Sequence, residues 1–397
     1  LGGLTLLRLH REGLPTATSS VPAKISLEGI AFLGALLFAV HPLATEVTHY
    51  TRARDHGLVG LFSFGAAVTT ALVLRRGWRW LPLWVMTVLG ATFSKEQGLP
   101  NAMIFAGVTA LFFGRKADWR RLVPDRRWAI GVGLGLIVVL ALNFVQLHYW
   151  RGQVMRNLDD ARFNWHVLTQ SRIFWAYVGR MFVPIHLCSD HLVAWTRSTG
   201  DVVAWFALSG IVLSAVTAGV LWFKKRRLAS FLLIMTALPL LMRFAYVVSE
   251  LMVEYRTYPS MPWFCLGMAC LLARVPAMRP TSFRSATTVL ILVLTALCIH
   301  RGLVWRSTET LTSNVLRQYP LQLRAYLELG AADMRADRPE AILKRRPLYN
   351  QRLTEALAYN RESRHRFYEH WMLWAVQGDC YTADALVETG QPDVAIT

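Results

Sequence analysis

The residues with the most capacity for chemistry stand close together, in the seventeen positions from His41 to Gly57. This stretch holds three histidines (His41, His49, His56), two arginines (Arg52, Arg54), two carboxylates (Glu46, Asp55) and Tyr50. Strongly apolar runs flank it, Ile30 to Val40 before and Leu58 to Leu74 after. Polar groups pressed against a bilayer are costly unless they line a cavity or meet a charged ligand. If Glu46 to Arg54 is helical, Glu46, Tyr50 and Arg54 recur every fourth residue and share one face. Two readings stay open from these residues alone: a solvated turn joining two membrane helices, or one wall of a site.

A second cluster, Glu254 to Pro262, sets Arg256 between Tyr255 and Tyr258. Its prolines, Pro259 and Pro262, restrict the backbone ahead of the next apolar run. A guanidinium is a planar fork of donors suited to phosphate; the plainer reading pairs Arg256 with Glu254 or Glu250. A third cluster, Ser94-Lys95-Glu96, is short, and taken alone a lysine at a helix end only snorkels to the interface. His186, Asp190 and His191 have a spacing that permits metal ligation on a helix, but Pro184 favours a loop there. The cysteines show no metal-type spacing, and no catalytic Ser/His/Asp order or phosphate-cradling glycine loop is present.

The elements that must position these groups are membrane helices. Of 397 residues 54% are hydrophobic and 17% charged, with mean hydropathy +0.33. Apolar runs recur at lengths near the roughly 20 residues that cross a hydrocarbon core. Complete spans are expected near residues 25–40, 58–74, 80–93, 99–113, 128–150, 202–223, 228–248, 261–273 and 287–304. These nine follow a partial span at the start. The net charge of +18 does not point to nucleic acid, because the basic excess lies in short loops between apolar runs. From Trp305 onward twelve basic residues balance twelve acidic ones.

Alternation of the spans places Arg75–Arg79, Arg115–Arg127, Lys224–Arg227 and Arg274–Arg284 on one side, the cytoplasm by the positive-inside rule. All the polar clusters fall on the other side, with the segment after Val304. That last part, 305–397, reads as helical and TPR-like, with anchors at Arg338–Ile342 and Gly390–Ile396. These stand 54 residues apart where a repeat would give about 34. The fold class is therefore all-α: a polytopic membrane helix bundle over 1–304, followed by a helical extracytoplasmic tail over 305–397. Cations and tyrosines at the outer leaflet suit an anionic lipid head group such as a polyprenyl phosphate or diphosphate sugar. A nearby carboxylate would serve as general base on an acceptor hydroxyl.

Three motifs in order, Phe38 to Glu46 with Arg54-Asp55, Ser94 to Gly98, and Glu254 to Ser260, give a resemblance. Together they are similar to the transmembrane-and-TPR O-mannosyltransferase-like family and its bacterial relatives, multi-pass glycosyltransferases of the GT-C type. The resemblance implies transfer of a sugar, with inversion, from a polyprenyl-phosphate donor to a protein hydroxyl at the extracytoplasmic face of an inner (plasma) membrane. It implies Arg54, Lys95, Arg256 and Tyr258 at the donor phosphate, and Glu46, Asp55 and His41 at the catalytic centre. Glu96, Glu254 and Tyr50 would support them. The expected partners are membrane lipid and a protein acceptor, not nucleic acid; no cofactor is required by the motifs, although a divalent metal is compatible with them. The family's first outer loop, with its acidic catalytic residue, precedes a helix matched here by Leu1 to Leu9. The chain is therefore expected to be a fragment without that base, Glu46 or Asp55 being the substitutes. The rival reading is a non-catalytic, membrane-anchored TPR scaffold that binds a partner protein.

Overall fold

The computed structural model describes residues 2–12, 26–114, 163–196, 198–245, 251–273 and 280–336, with Lys344, Pro347, Gln351 and Glu355. Every regular element among them is helical. In order these are α1 (Gly2–Glu12), α2 (Leu27–Ala39), α3 (Thr45–His49), α4 (Arg54–Arg76), α5 (Leu81–Ser94), α6 (Gly98–Phe113) and α7 (Phe163–Phe182). There follow α8 (Val202–Phe223), α9 (Arg227–Leu241), α10 (Met261–Leu272), α11 (Pro280–Val304), α12 (Thr308–Gln318) and α13 (Leu323–Arg335). Short 3-10 turns join them, among them Pro42–Ala44, Thr51–Ala53, Met242–Ala245 and Glu254–Thr257.

Four described helical segments are long and apolar enough to cross a membrane: Thr51–Arg76, Val202–Phe223, Arg227–Ala245 and Arg284–Val304. The pair Leu27–Ala39 and Pro42–His49, bent by 58°, makes a fifth if it is one broken span. The 23 residues of α4 rise about 35 Å, more than the ~30 Å of a hydrocarbon core. By contrast α5, α6 and α10, each expected to be a complete span, have 14, 16 and 12 residues. The expected span at 128–150 and both repeat anchors of the tail lie outside the described residues.

The described chain falls into two compact units. The first takes in Leu1–Pro184, Thr196–Val248 and Glu254–Ile299; the second Ile185–Trp195, Ser249–Val253 and His300–Thr397. The first unit is built round α4, which packs on α5 and α6. Lipid cannot drive such helices together by the hydrophobic effect, so small residues and interhelical hydrogen bonds must. Both are present. Ala66, Ala91 and Ala102 meet Val88 at the centre of this layer, with Phe62 and Trp84 against them. Trp84 Nε1 donates to Thr70 Oγ1 at 2.9 Å, and Thr69 lies 3.3 Å from Thr87. Gly98 permits the tight α5–α6 hairpin: a β-carbon there would land on the Ala91 carbonyl.

Elsewhere in this unit α2 packs on α10, and α8 packs on both α7 and α9. Trp175 Nε1 donates to Ala207 O at 2.8 Å, and Ser230 Oγ to Ala218 O at 2.8 Å. Asp201 caps α8 through the Ala204 amide, 3.1 Å from its Oδ1. That amide first, with Thr196 and Arg172 beyond it, holds the Asp201 carboxyl below the usual carboxylate range. Most of α8 faces outward, as a lipid-contacting helix would.

The second unit buries polar groups beside an apolar cluster. Arg301 Nη1 and Gln318 Nε2 both donate to Leu187 O, at 3.1 and 3.0 Å. Cys188 packs with Val315 and Ala325. His191 Nδ1 lies 3.0 Å from the Tyr319 hydroxyl, and the 184–191 segment is irregular, not helical.

Candidate functional site

The site begins where α2 stops. Val40 ends the helix, His41 turns to extended backbone (φ −77°, ψ 125°), and Pro42 opens a 3-10 turn. Leu43 N donates to His41 Nδ1 at 3.2 Å, which leaves the proton on Nε2; that nitrogen donates to Met181 O at 3.0 Å. Both ring nitrogens of His41 are thus engaged with backbone, and the residue holds a turn.

The expected common face of Glu46, Tyr50 and Arg54 does not form. Helix α3 ends at His49 and Tyr50 is extended (φ −88°, ψ 109°), so Glu46 and Arg54 belong to different helices. Thr45, Thr48 and His49 bond through their side chains to local carbonyls beside the break. Glu46 is buried, Tyr50 half-buried and Arg54 exposed at the first position of α4.

The break has a consequence one residue further on. Asp55, in the first turn of α4, accepts from Lys95 Nζ at 2.7 Å through Oδ2 and from the His56 amide at 2.6 Å through Oδ1. The first and third polar clusters, forty residues apart, are therefore joined by an ion pair with side chains 20% (Lys95) and 31% (Asp55) exposed. Glu96, beside Lys95, is exposed.

The Glu254 segment supplies another wall. It forms a 3-10 turn with Glu254 and Arg256 both buried, packed against the Pro42–Ala44 turn and α3. Tyr258 meets Phe38 edge-on, with centroids 5.3 Å apart, and lies over Gly60 of α4. Burial pushes the Tyr258 phenol up. Tyr255 stacks at a tilt on His56, centroids 4.5 Å apart.

Two further members, Arg243 and His56, are given no site role from sequence. Arg243, buried in the 3-10 turn after α9, donates through Nη2 to Gln97 Oε1 at 2.6 Å. His166 Nε2 in turn donates to the Arg243 carbonyl at 2.9 Å. His56, only 3% exposed, follows the Asp55 that pairs with Lys95 and stacks on the Tyr255 that precedes Arg256; Arg243 bonds to Gln97, two residues after Lys95. An ionisable residue in the apolar run 228–248 was the available signal for Arg243, since such residues within membrane segments mark functional sites by default. His56 stands in the polar stretch that the sequence marks, but its contact with Tyr255, some two hundred positions away, is not legible there.

Through these contacts the clusters form one group of cations, carboxylates and tyrosines. Against known proteins, the chain is similar to a Caenorhabditis elegans protein named Protein O-mannosyl-transferase F38B6.6. They share 25% identity over 308 residues, 76% of this chain and 43% of that protein. The resemblance is to a glycosyltransferase. The chain spans less than half the length of this relative. No family model matches it, and no solved structure does. Among the described residues no group of three or more His, Cys, Asp or Glu side chains is arranged to hold a metal ion.

Proposed function

We propose that this chain is part of a multi-pass membrane glycosyltransferase of the GT-C type. It would move a sugar from a polyprenyl-phosphate donor to a protein hydroxyl at the extracytoplasmic face of the plasma membrane. The observation that carries the reading is the linkage of the cation-bearing segments: Lys95 to Asp55, His56 to Tyr255 beside Arg256, and Arg243 to Gln97, next to apolar helices. Cations gathered at helix ends suit a phosphate whose lipid tail stays in the bilayer.

The acceptor hydroxyl attacks the anomeric carbon; a C–O bond forms there as the bond to the donor phosphate breaks. Polyprenyl phosphate leaves carrying the electron pair, and fixed positive groups stabilise the charge it gains. Arg256 and Lys95 are assigned to that phosphate, with Tyr258 as an O–H donor to the head group and Arg54 at the exposed rim. A carboxylate takes the acceptor proton; Asp55 and Glu46 are the candidates within this chain, and Glu254 supports Arg256. His41 positions the turn. The helical tail recruits the acceptor protein.

Arg256→Ala tests the assignment in membranes carrying the full-length protein, with transfer to a serine/threonine peptide as readout. Transfer is expected to fall below one-hundredth while the protein inserts and remains monodisperse in detergent. Undiminished transfer removes Arg256 from the phosphate site.

A further inference from the structure

We infer that the imidazole of His56 itself contacts the ligand, completing a phosphate-ester subsite with Lys95, Arg243 and Arg256. The inference rests on the donor-site reading above and adds to it the group that touches the phosphate.

His56 is 3% exposed, yet among the described residues no hydrogen bond reaches either nitrogen of its ring. In a residue so enclosed, ring nitrogens without a protein partner are open to a ligand or a water. The ring is held in place without its nitrogens: one face stacks on Tyr255, and the backbone is fixed by the bond from the His56 amide to Asp55. Its surroundings select the ligand's charge. Lys95 from the end of α5, Arg243 from the turn after α9 and Arg256 from the Glu254 turn all act on it. Asp55 already pairs with Lys95, so Arg243 and Arg256 supply the further positive charge that favours an anion over a second cation. A neutral imidazole can donate one N–H to an anionic oxygen without adding charge of its own.

Arg243 is set for the same task. Gln97 accepts from one end of its guanidinium and His166 fixes its backbone carbonyl, which orients the planar fork. Phosphate recognition by such a fork is bidentate and geometrically demanding. The ligand chemistry is thus an anionic phosphate oxygen, carried by a polyprenyl phosphate or by free phosphate.

Binding of a polyprenyl monophosphate, of inorganic phosphate and of the parent polyprenol to the purified full-length protein in detergent separates these sources. His56→Phe keeps the ring stack on Tyr255 and removes both nitrogens; His56→Gln restores a side-chain donor. His56→Phe is expected to weaken phosphate-ester binding roughly ten- to a hundredfold, the size of one hydrogen bond to a charged group. His56→Gln should recover part of this, and polyprenol binding should not change. Tighter binding of inorganic phosphate than of the lipid ester assigns the subsite to free phosphate. Binding by His56→Phe equal to wild type overturns the inference, as does a wild type that binds neither phosphate. Loss in His56→Phe without loss in Arg256→Ala supports the His56 contact and overturns the donor role of Arg256 instead. Should His56→Phe not fold, the nitrogen resonances of His56 in the wild type read the same contact. A shift on adding the phosphate supports it, and none refutes it.

Discussion

Breaking the Lys95–Asp55 pair tests whether the polar clusters are coupled as the structure has them. At 2.7 Å and an effective dielectric of about 20, the gross attraction is about 6 kcal/mol. Desolvation and side-chain ordering oppose most of it. Fully exposed pairs retain about 0.2–1 kcal/mol, and breaking a buried pair from one side costs about 3–5 kcal/mol. With side chains 20% and 31% exposed, this pair lies between those limits. Lys95→Met, which leaves the Asp55 charge behind, is expected to cost about 2–3 kcal/mol. Asp55→Asn keeps an acceptor for the His56 amide and should cost about 1–2 kcal/mol. The double variant should cost less than the sum, with a coupling energy of about 1.5 kcal/mol. Unfolding in mixed micelles, followed by tryptophan fluorescence in all four proteins, measures the cycle. Costs that add to within about 0.5 kcal/mol would refute a direct pairing of the two clusters.

Gly98→Ala drives a β-carbon into the Ala91 backbone, which cannot move as a side-chain tip would. It is expected to destabilise the first unit by about 3 kcal/mol in the same micelle assay, and a cost below about 0.5 kcal/mol would contradict the α5–α6 hairpin. Asp201→Ala removes the α8 cap and should cost about 1 kcal/mol at neutral pH. Because folding lowers the Asp201 pKa, its stabilisation is present above the usual carboxylate range and lost as pH falls through the lower folded value. The melting-temperature gap between wild type and Asp201→Ala should therefore shrink from pH 6 to pH 3; a gap that widens contradicts the cap.

Much of the helical frame is legible in the sequence because apolar runs are local and continuous. The run Val202–Phe223 is α8, and Leu58–Leu74 lies inside α4. The short helices α5, α6 and α10 show the limit of that signal. Composition finds an apolar segment, but capping and turns such as Ser94–Gly98 decide where it stops. At the site, the residue types are legible and their meetings are not. Lys95 finds Asp55 across forty positions and Arg243 finds Gln97 across 146. Both contacts depend on helix packing that no local pattern encodes. The break at Tyr50 is the instructive case. Periodicity put Glu46, Tyr50 and Arg54 on one face, whereas the extended backbone at Tyr50 separates α3 from α4, and Asp55 in the first turn of α4 pairs with Lys95.

The most direct test is donor use by the purified full-length protein in proteoliposomes. A labelled sugar is offered to a serine/threonine acceptor peptide on polyprenyl phosphate or on a nucleotide. The account predicts transfer from the lipid-linked donor, dependent on Arg256, and none from the nucleotide sugar. Transfer from the nucleotide sugar alone, or from neither donor, would contradict it.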